Sequence, residues 1–315
     1  MFYIGLDIGG TKCAASLGYI CDEDIKICDK DCFSTADKSP YKILQRFSLF
    51  IKKHLSKDIQ GIGISCGGPL DSNSGIIMSP PSLPLWKDIK IVEYFENEFG
   101  IRTYLQNDAN ACAVAEWKYG AGKGSSNMVF LTFGTGFGAG LIFNGKLYSG
   151  ANGNAGEIGH VRLTKNGPIG YRKKGSCEGY CSGSGIVRLC EIMREKESLN
   201  QSYRDFVNAV GEENISAKTI AEYARKNNRF CKEIFKKSGE MLGRALSMIV
   251  DMLNPEKIVI GGIFMRANDL FIPYVSKIMK KECLSFSLDI CEILPAKLSE
   301  NIGDIVALSI AKGDF

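Results

Sequence analysis

Two glycine-rich segments of the sequence contain residue types that bind phosphate. In the first, Asp7 ends an apolar run and is followed by Gly9, Gly10, Thr11 and Lys12. Because glycines lack a Cβ, their backbone N–H groups can approach an anion, and successive amides form a concave nest for phosphate oxygens. A carboxylate at a strand end can hold hydrated Mg²⁺, because magnesium keeps most of its waters. A glycine-tipped hairpin alone is more often a plain turn, so Asp7 and Thr11 carry the prediction of a magnesium and phosphate site.

The second glycine-rich segment contains Gly134, Thr135 and Gly136 and lies between apolar runs at 128–133 and 141–143. It superficially fits the dinucleotide-binding motif, but that motif must open a helix, and here a second strand follows. The Walker motif is absent as well, because the Gly-Lys pair of this chain lacks the upstream glycine that the motif requires. Two glycine hairpins therefore suggest a bound triphosphate and disfavour a dehydrogenase.

Asp108 is the candidate general base. It stands where the apolar run 102–106 gives way to a predicted helix that begins near Ala109. The positive end of the helix dipole then favours a carboxylate at this place. A carboxylate within hydrogen-bond reach of a hydroxyl can take its proton during phosphoryl transfer. An aspartate in this position is also explained as a simple helix N-cap.

Glu157 and His160 form a further polar group, with Gly156 and Gly159 beside them. This arrangement can bring two polar side chains close to a polyol. A hydrogen-bonded structural histidine is the alternative for His160. The other histidine, His54, follows two lysines and is predicted to be a solvated residue.

The elements that must position these residues alternate between strands and helices, which indicates an α/β protein. The length of 315 residues favours two domains or lobes. Strands are predicted over 2–8, 13–17, 59–65, 102–106, 128–133, 141–143, 257–260 and 289–294, and helices over 41–56, 91–99, 109–119, 185–196, 217–226, 230–253, 270–281 and 302–312.

Composition excludes several classes of function. The 39 basic and 35 acidic residues leave a net charge of +4, which does not indicate a nucleic-acid partner. Apolar runs are too short for a membrane-spanning helix, so no membrane partner is expected. The 12 cysteines show no disulfide framework and are interpreted as reduced thiols. Without a recognisable signal peptide, the protein is expected to be cytoplasmic.

The motifs together resemble those of a known superfamily. Asp7-x-Gly9-x-Thr11, the segment 132–138, and Gly261-Gly262 after a helix that ends in Asn-Pro look like the first phosphate, second phosphate and adenosine motifs of actin-like sugar kinases. Within that superfamily, the strings 107–110 (Asn-Asp-Ala-Asn) and 157–160 (Glu-Ile-Gly-His) resemble the ROK family of bacterial sugar kinases, repressors and open reading frames. The resemblance covers nearly the whole chain, with the motifs in the right order.

The resemblance implies an α/β, two-lobed ribonuclease H-like (actin-like ATPase) fold with an active-site cleft between the lobes. The small N-terminal lobe is predicted to comprise residues 1–118 plus 300–315, and the large C-terminal lobe residues 119–299. Family resemblance also suggests a homodimer.

The implied function is an ATP-dependent kinase that phosphorylates a hydroxyl of a hexose or N-acetylhexosamine, with the 6-hydroxyl as the expected acceptor and Asp108 as general base. Asp7 would hold Mg²⁺ through water. The implied sugar-binding residues are Gly68, Asn107, Asp108, Glu157, His160 and Glu178. The implied ATP-binding residues are Asp7, Gly9, Gly10, Thr11, Lys12, Gly134, Thr135, Gly136, Gly261 and Gly262.

The alternative is a non-catalytic ROK sugar-binding or regulatory protein. A ROK repressor would carry a helix-turn-helix domain before the first phosphate motif. Here that motif begins at residue 7, which is expected to leave no room for such a domain. The joint presence of Asp7, Thr11 and Asp108 favours the kinase.

The chain departs from the family after His160. Relatives usually carry a cysteine cluster there that binds a structural zinc together with this histidine, but the three cysteine positions become Ile169, Tyr171 and Ser176. We therefore predict no structural zinc. Packing of Ile169, Tyr171 and Tyr180 is expected to hold the loop 167–178 instead.

A second departure lies in the segment 81–86, where Ser82 and Leu85 replace the asparagine and glycine usual in the family. This segment is interpreted either as a lid-like loop that adjusts the sugar pocket or as a rigid surface loop with a packed Trp86.

Overall fold

The computed structural model describes residues 1–21, 24–35, 39–196, 199–298 and 302–313. These residues form an α/β fold, as predicted. The strands are β1 Phe2–Ile8, β2 Lys12–Cys21, β3 Asp24–Ser34, β4 Ile59–Cys66, β5 Leu70–Asp71, β6 Ile76–Ile77, β7 Ile89–Lys90, β8 Thr103–Asn107, β9 Met128–Phe133, β10 Phe137–Phe143, β11 Lys146–Tyr148, β12 Ile169–Gly170, β13 Lys173–Lys174, β14 Lys257–Ile260 and β15 Glu292–Pro295.

The helices alternate with these strands along the chain. They are α1 Pro40–His54, α2 Ile91–Phe99, α3 Asp108–Tyr119, α4 Cys177–Tyr180, α5 Gly183–Met193, α6 Asn200–Val210, α7 Ala217–Arg225, α8 Arg229–Leu253, α9 Ile263–Glu282, α10 Ser285–Ile290 and α11 Ile302–Ala311.

The chain divides into two compact units. The first comprises residues 1–126, 140–155 and 297–315, and the second comprises residues 127–139 and 156–296. The predicted lobe boundaries, 1–118 plus 300–315 and 119–299, stay a prediction.

The first unit is built on a five-stranded sheet with the order β3-β2-β1-β4-β8. β1, β2 and β3 form an antiparallel meander, whereas β4 lies parallel to both β1 and β8. One hydrophobic cluster joins the sheet to α1 and α2 and includes the fully buried Phe47, Trp86 and Phe95. A second cluster joins it to α11 through Leu308. Near the carboxyl ends of β1 and β8, the two strands that flank β4, lie Asp7 and Asn107, so the candidate residues of this unit are at the same edge of the sheet.

In the second unit, β9, β14 and β15 run parallel to one another. The long helix α8 follows the predicted amphipathic segment and buries an apolar face that includes Phe235 and Leu242. Phe235 and Phe264 both contact the ring of Phe271 on α9. Asn254 adopts the left-handed conformation at the end of α8, where the sequence predicted that the Asn-Pro pair would end the helix.

Several predicted elements are wrong or were missed. The predicted strand 289–294 is in part the helix α10, and only its end belongs to β15. β3, α6 and the small sheet β5-β6-β7 were not predicted from the sequence. His54, which was predicted to be solvated, is buried. Its ring packs against Phe50, and its Nε2 lies 3.0 Å from the Asp29 carboxylate.

Among the described residues, no helix is both long enough and apolar enough to span a bilayer.

Candidate active site

The first glycine segment connects β1 to β2 and is braced by Thr35 at the end of β3. The N–H of Gly9 donates to the carbonyl of Lys12 at 3.1 Å, which closes the turn. The hydroxyl of Thr35 donates to the Gly9 carbonyl at 2.9 Å, and its N–H donates to the Thr11 carbonyl at 2.9 Å. Thr11 and Lys12 are exposed. Hydrogen bonds from Thr35 therefore hold the hairpin, while its polar tip faces solvent. This role of Thr35 was not predicted from the sequence.

Asp7, half-buried at the end of β1, lies in a group of carboxylates. Burial, and then the nearby charges of Asp108 and Asp304, raise the pKa of Asp7 from 3.8 to about 6. Asp304, on α11, is 3% exposed and forms an ion pair with Lys30. A Cβ placed on Gly303 would lie 3.0 Å from Oδ2 of Asp7, so the beginning of α11 packs directly against this carboxylate.

This surrounding fits a cation such as Mg²⁺. The lysines at positions 12 and 30 lower the pKa of Asp7, but they do not offset burial and the two neighbouring carboxylates. A divalent cation stabilises the ionised form of a buried carboxylate beside other carboxylates, because it binds oxygen ligands and neutralises the local negative charge. The residues present therefore suit a cation beside Asp7, whose role stays a prediction.

Asp108 is the first residue of α3, but it is not the N-cap. The preceding Asn107 is the N-cap, because its Oδ1 accepts a hydrogen bond from the Ala109 N–H at 2.9 Å. Oδ1 of Asp108 lies 2.7 Å from the same N–H. Asp108 therefore shares this N–H with the N-cap residue, and it is exposed, with its carboxylate at the positive end of the helix dipole.

Gly68 lies beside this helix start. Cβ atoms placed on Gly67 and Gly68 would lie 3.8 Å from Oδ2 of Asp108 and 3.3 Å from Nδ2 of Asn107, respectively.

A buried polar network, which was not predicted from the sequence, supports the end of β8 and the start of α3. Oε1 of Gln106 accepts hydrogen bonds from the Asn107 N–H at 2.9 Å, the Ser72 hydroxyl at 3.1 Å and Nδ2 of Asn110 at 3.1 Å.

The segment 81–86 contacts the first hairpin. Trp86 is fully buried, and its N–H donates to the Leu83 carbonyl at 2.9 Å. Leu85 is exposed. A Cβ placed on Gly10 would lie 2.6 Å from Cβ of Ser82. The packed tryptophan agrees with the rigid-loop alternative, and Ser82 borders the predicted phosphate site.

In the second unit, the second glycine segment is held by the beginning of α5. The N–H of Gly183 donates to the Gly134 carbonyl at 2.8 Å, and the hydroxyl of Ser184 donates to the Thr135 carbonyl at 3.0 Å. The N–H of Gly134 donates to the Gly136 carbonyl at 3.1 Å. Since α5 spans 11 residues, its positive end reinforces any site for negative charge at this hairpin.

A cavity of about 440 Å³ opens beside this hairpin within the second unit. Its walls come from the second hairpin and from the N-terminal ends of α5, α7 and α9. Gly262, of the predicted adenosine motif, lines the cavity at a φ of 67°. A Cβ there would lie 2.2 Å from the Phe133 carbonyl oxygen, so only glycine lets β9 and α9 approach this closely. Gly261 is buried directly before it.

Glu178 connects the predicted sugar-binding residues to the second hairpin. Its Oε2 accepts a hydrogen bond from the Phe137 N–H at 3.3 Å. The turn that carries Glu157 and His160 lies against β10, where the Ala139 N–H donates to the Gly156 carbonyl at 2.9 Å. Glu157 is exposed and His160 is half-buried.

Hydrogen bonds hold most of the loop 167–178, and this corrects the predicted packing. Ile169 and Tyr171 are 46% and 56% exposed, whereas Tyr180 is buried as predicted. Tyr171 still contacts the His160 ring edge-on, with ring centroids 4.3 Å apart.

The buried Ser176 organises the end of this loop. Its hydroxyl donates to the Gly170 carbonyl at 3.0 Å and accepts from the Gly179 N–H at 3.2 Å. The Tyr180 hydroxyl lies 2.9 Å from the Thr164 hydroxyl. Within the described part of the chain, no three His, Cys, Asp or Glu side chains are grouped as metal ligands.

The predicted site residues thus form two groups. The structure brings Asp7, the first hairpin, Gly68, Asn107 and Asp108 together in the first unit. It brings the second hairpin, Glu178, Glu157, His160 and the Gly261-Gly262 pair together in the second unit.

Comparison with known proteins identifies the family. A sequence model of the ROK family matches residues 3–314. The chain belongs to the ROK family. It is 31% identical to the glucokinase of Thermotoga maritima, with 98% of this chain and 96% of that protein covered. It is 28% identical to the xylose repressor of Bacillus spizizenii, where the match covers 76% of this chain and 58% of that protein.

Solved structures of the family share the fold. A ROK family glucokinase from Streptomyces griseus, in complex with glucose and AMPPNP, superposes with a TM-score of 0.79 at 25% identity, with 99% of this chain and 100% of that chain covered. A ROK hexokinase from Thermus thermophilus superposes with the same TM-score of 0.79 at 23% identity. These matches confirm the predicted fold class, the two-lobed actin-like fold.

Proposed function

We propose that this ROK protein is an ATP-dependent sugar kinase. Its substrate would be a hexose or an N-acetylhexosamine, and the phosphorylated group would be the 6-hydroxyl. The glucokinase relatives support this proposal, because they match nearly the full length of the chain.

The observation that carries the proposal is the position of Asp108. Its carboxylate is exposed at the start of α3, beside Asn107 and Gly68, and the capping role that could explain it belongs to Asn107. A sugar hydroxyl is a weak nucleophile, so a fixed base that accepts its proton aids the attack on the γ-phosphorus. Asn107 and the Gly68 backbone would orient the acceptor hydroxyl. Glu157, His160 and Glu178 would bind the other hydroxyls of the sugar.

ATP would occupy the cavity and the two glycine hairpins. The hairpin amides, Thr11, Thr135 and Lys12 would bind phosphate oxygens, and the Gly261-Gly262 pair would lie at the adenosine. Asp7 would hold Mg²⁺ through water, and the ion would neutralise charge on the phosphates.

The variant Asp108→Asn tests the assignment of the base. It keeps the size of the side chain but cannot take a proton at neutral pH. We expect the kcat for sugar phosphorylation to fall by about 10²- to 10⁴-fold, while the Kd for sugar, measured by calorimetry, changes less than about threefold. Asp58→Asn, at an exposed aspartate of the same unit, is the matched control. An Asp108→Asn enzyme with near-normal turnover would remove Asp108 from this role.

A panel of sugars in an ATP-coupled ADP-release assay tests the substrate class. The panel comprises glucose, N-acetylglucosamine, N-acetylmannosamine, fructose and allose. Turnover of one or more of them supports the kinase, and ³¹P NMR of the product identifies the phosphorylated hydroxyl. Sugar binding without turnover of any member would favour the non-catalytic regulatory alternative. We also propose a homodimer, which light scattering of the purified protein tests.

A further inference from the structure

The cavity of the second unit contains a charged residue that none of the predicted motifs includes. Among the described residues that line it, Arg266 alone is charged, and the others are glycines, hydroxyl residues and apolar side chains. Arg266 belongs to the first turn of α9, directly after the Gly261-Gly262 pair, and is exposed. A guanidinium beside a glycine hairpin matches a phosphate-bearing ligand in charge and in hydrogen-bond geometry.

The helix is broken directly after Arg266. Ala267 has φ −134° and ψ 22°, so the first turn of α9 is a short segment that is offset from the remainder of the helix. Such a break interrupts the regular backbone hydrogen bonds and needs another partner to fix it.

Arg225, in the last turn of α7, supplies that partner. Its Nη2 donates to the Arg266 carbonyl at 2.7 Å and to Oδ1 of Asp269 at 2.7 Å, while its Nε donates to Oδ2 of Asp269 at 2.9 Å. One guanidinium therefore spans both sides of the break. The same contacts lower the pKa of Asp269, as expected for a carboxylate that accepts two hydrogen bonds from a cation.

Both helices that Arg225 connects contribute walls to the cavity, through residues 215–217 at the start of α7 and 262–266 at the start of α9. A half-exposed ion pair contributes little to stability by itself. Its bidentate geometry and the third bond to a carbonyl at the break instead suit it to fix a backbone position.

We propose that Arg266 is a further nucleotide-binding residue, which contacts the phosphates of ATP, and that Arg225, together with Asp269, is a positioning residue that holds Arg266 in place. This inference rests on the proposed function, because it assumes that the cavity of the second unit binds ATP.

Steady-state kinetics and AMPPNP binding test it in four variants. We expect Arg266→Ala to raise the KM for ATP and the Kd for AMPPNP about tenfold, the loss of one charge-assisted contact. Arg266→Lys keeps the charge but not the geometry of the guanidinium, and it should recover only part of the affinity. Arg225→Ala should raise the same two constants by about three- to fivefold.

The fourth variant, Arg225→Ala/Arg266→Ala, should bind AMPPNP no more weakly than Arg266→Ala alone, because Arg225 acts through Arg266 and the two effects are then not additive. Binding to the wild type should weaken with added NaCl more steeply than binding to Arg266→Ala, because an ionic contact is screened. Additive effects, or equal salt dependence, would overturn the proposal.

Arg46→Ala is the matched control, since Arg46 forms a bidentate pair with Asp31 in the first unit at 3.0 Å for each bond. It should leave the KM for ATP unchanged, and Arg225→Ala should unfold within the same range of urea concentration. If the wild type binds AMPPNP but Arg266→Ala binds it equally well, this inference fails while the kinase proposal stands. If the wild type neither binds AMPPNP nor phosphorylates a sugar, the proposed function itself fails.

Discussion

Asp7 has the most strongly perturbed carboxylate described in the first unit, and the cause is structural. Burial and the charges of Asp108 and Asp304 disfavour its ionised form, so the pKa of Asp7 rises from 3.8 to about 6. The unfolded chain binds this proton more weakly than the folded chain does. The contribution of this proton to stability is therefore fully present below pH 3.8 and is lost as pH rises through 6. When no cation is bound, ionised Asp7 therefore lowers the free energy of unfolding at neutral pH.

Asp7→Asn should therefore raise the free energy of unfolding at pH 7.5, by about 1–2 kcal/mol after allowance for solvent screening. The same substitution should abolish turnover, because it removes the proposed support for Mg²⁺. Urea unfolding without magnesium at pH 7.5 and pH 5.0 measures the effect. The stability difference between variant and wild type should shrink at pH 5.0, where the wild type is largely protonated. A variant less stable than the wild type at pH 7.5 would contradict this account.

Among single residues, the sequence predicts the functional candidates that belong to short local patterns. It misses those that only tertiary structure places beside the site. Asp7, Thr11 and Asp108 stand beside glycines or at a strand end, so their neighbours in the chain already indicate a role. Thr35 and Arg266 have no such local signal, since each acts on a segment that the fold brings next to it. Even within a recognised pattern, the sequence does not decide which residue caps the helix. Only the structure assigns the N-cap of α3 to Asn107 rather than to Asp108.

At the scale of elements, hydrophobic periodicity predicts the buried strands and the long helices and fails where one face is not clearly apolar. β3 is an edge strand in which exposed and half-buried residues alternate, and its charged residues conceal the strand pattern. β5, β6 and β7 have two residues each, which is too short for any period to register. α10 lies on the surface without a single buried residue, so its sequence could be mistaken for part of the following strand.

Hydrogen bonds hold the loop 167–178 in this chain, which lacks the zinc-binding cysteines of its relatives. At one of the three positions where relatives have zinc-binding cysteines stands Ser176, which is buried and bonded to backbone on both sides. The N–H of Gly175 also donates to the Pro168 carbonyl at 2.9 Å. Hydrogen bonds of the backbone and of the Ser176 hydroxyl thus connect the strands of this loop with the start of α4. A bound metal could otherwise make this connection.

We predict that the purified protein contains less than about 0.1 equivalent of zinc and that EDTA leaves its melting temperature unchanged, because hydrogen bonds order the loop. Ser176→Ala should lower the free energy of unfolding by about 1–3 kcal/mol, since it leaves a buried carbonyl and a buried N–H without their partner. Plasma mass spectrometry and thermal melts measure the two effects. Ser74→Ala, at an exposed serine of another loop, is the control. One tightly bound equivalent of zinc would refute our interpretation of the loop.

For the whole molecule, the two compact units explain why family motifs scattered along the chain form only two groups of residues. The chain passes between the units more than once, so residues as distant as Asp7 and Asp304 belong to one unit. The glycine content follows from this arrangement, since many glycines lie at the hairpins and at close approaches of backbone segments. The twelve cysteines have no comparable pattern, and within the described residues none of them is in a disulfide.

The reactivity of these thiols is a test of the packing of the entire chain. Cys21, Cys28 and Cys32 are exposed, and the other cysteines are buried or half-buried. Burial raises the pKa of Cys190 to about 11 and that of Cys291 to about 12. Because the thiolate is the reactive form, exposed thiols should react with Ellman's reagent long before the others.

We therefore expect about three thiols per chain to react within minutes at pH 7.5, and all twelve to react in 8 M urea. The triple variant Cys21→Ser/Cys28→Ser/Cys32→Ser should lose the fast phase and keep its melting temperature, because these side chains lie on the surface of β2 and β3. Mass spectrometry after brief alkylation identifies the labelled positions. Rapid labelling of Cys190 or Cys291 would mean that the second unit opens in solution. Fewer than twelve thiols in urea under reducing-agent-free conditions would mean that disulfides form, against the interpretation of reduced cysteines.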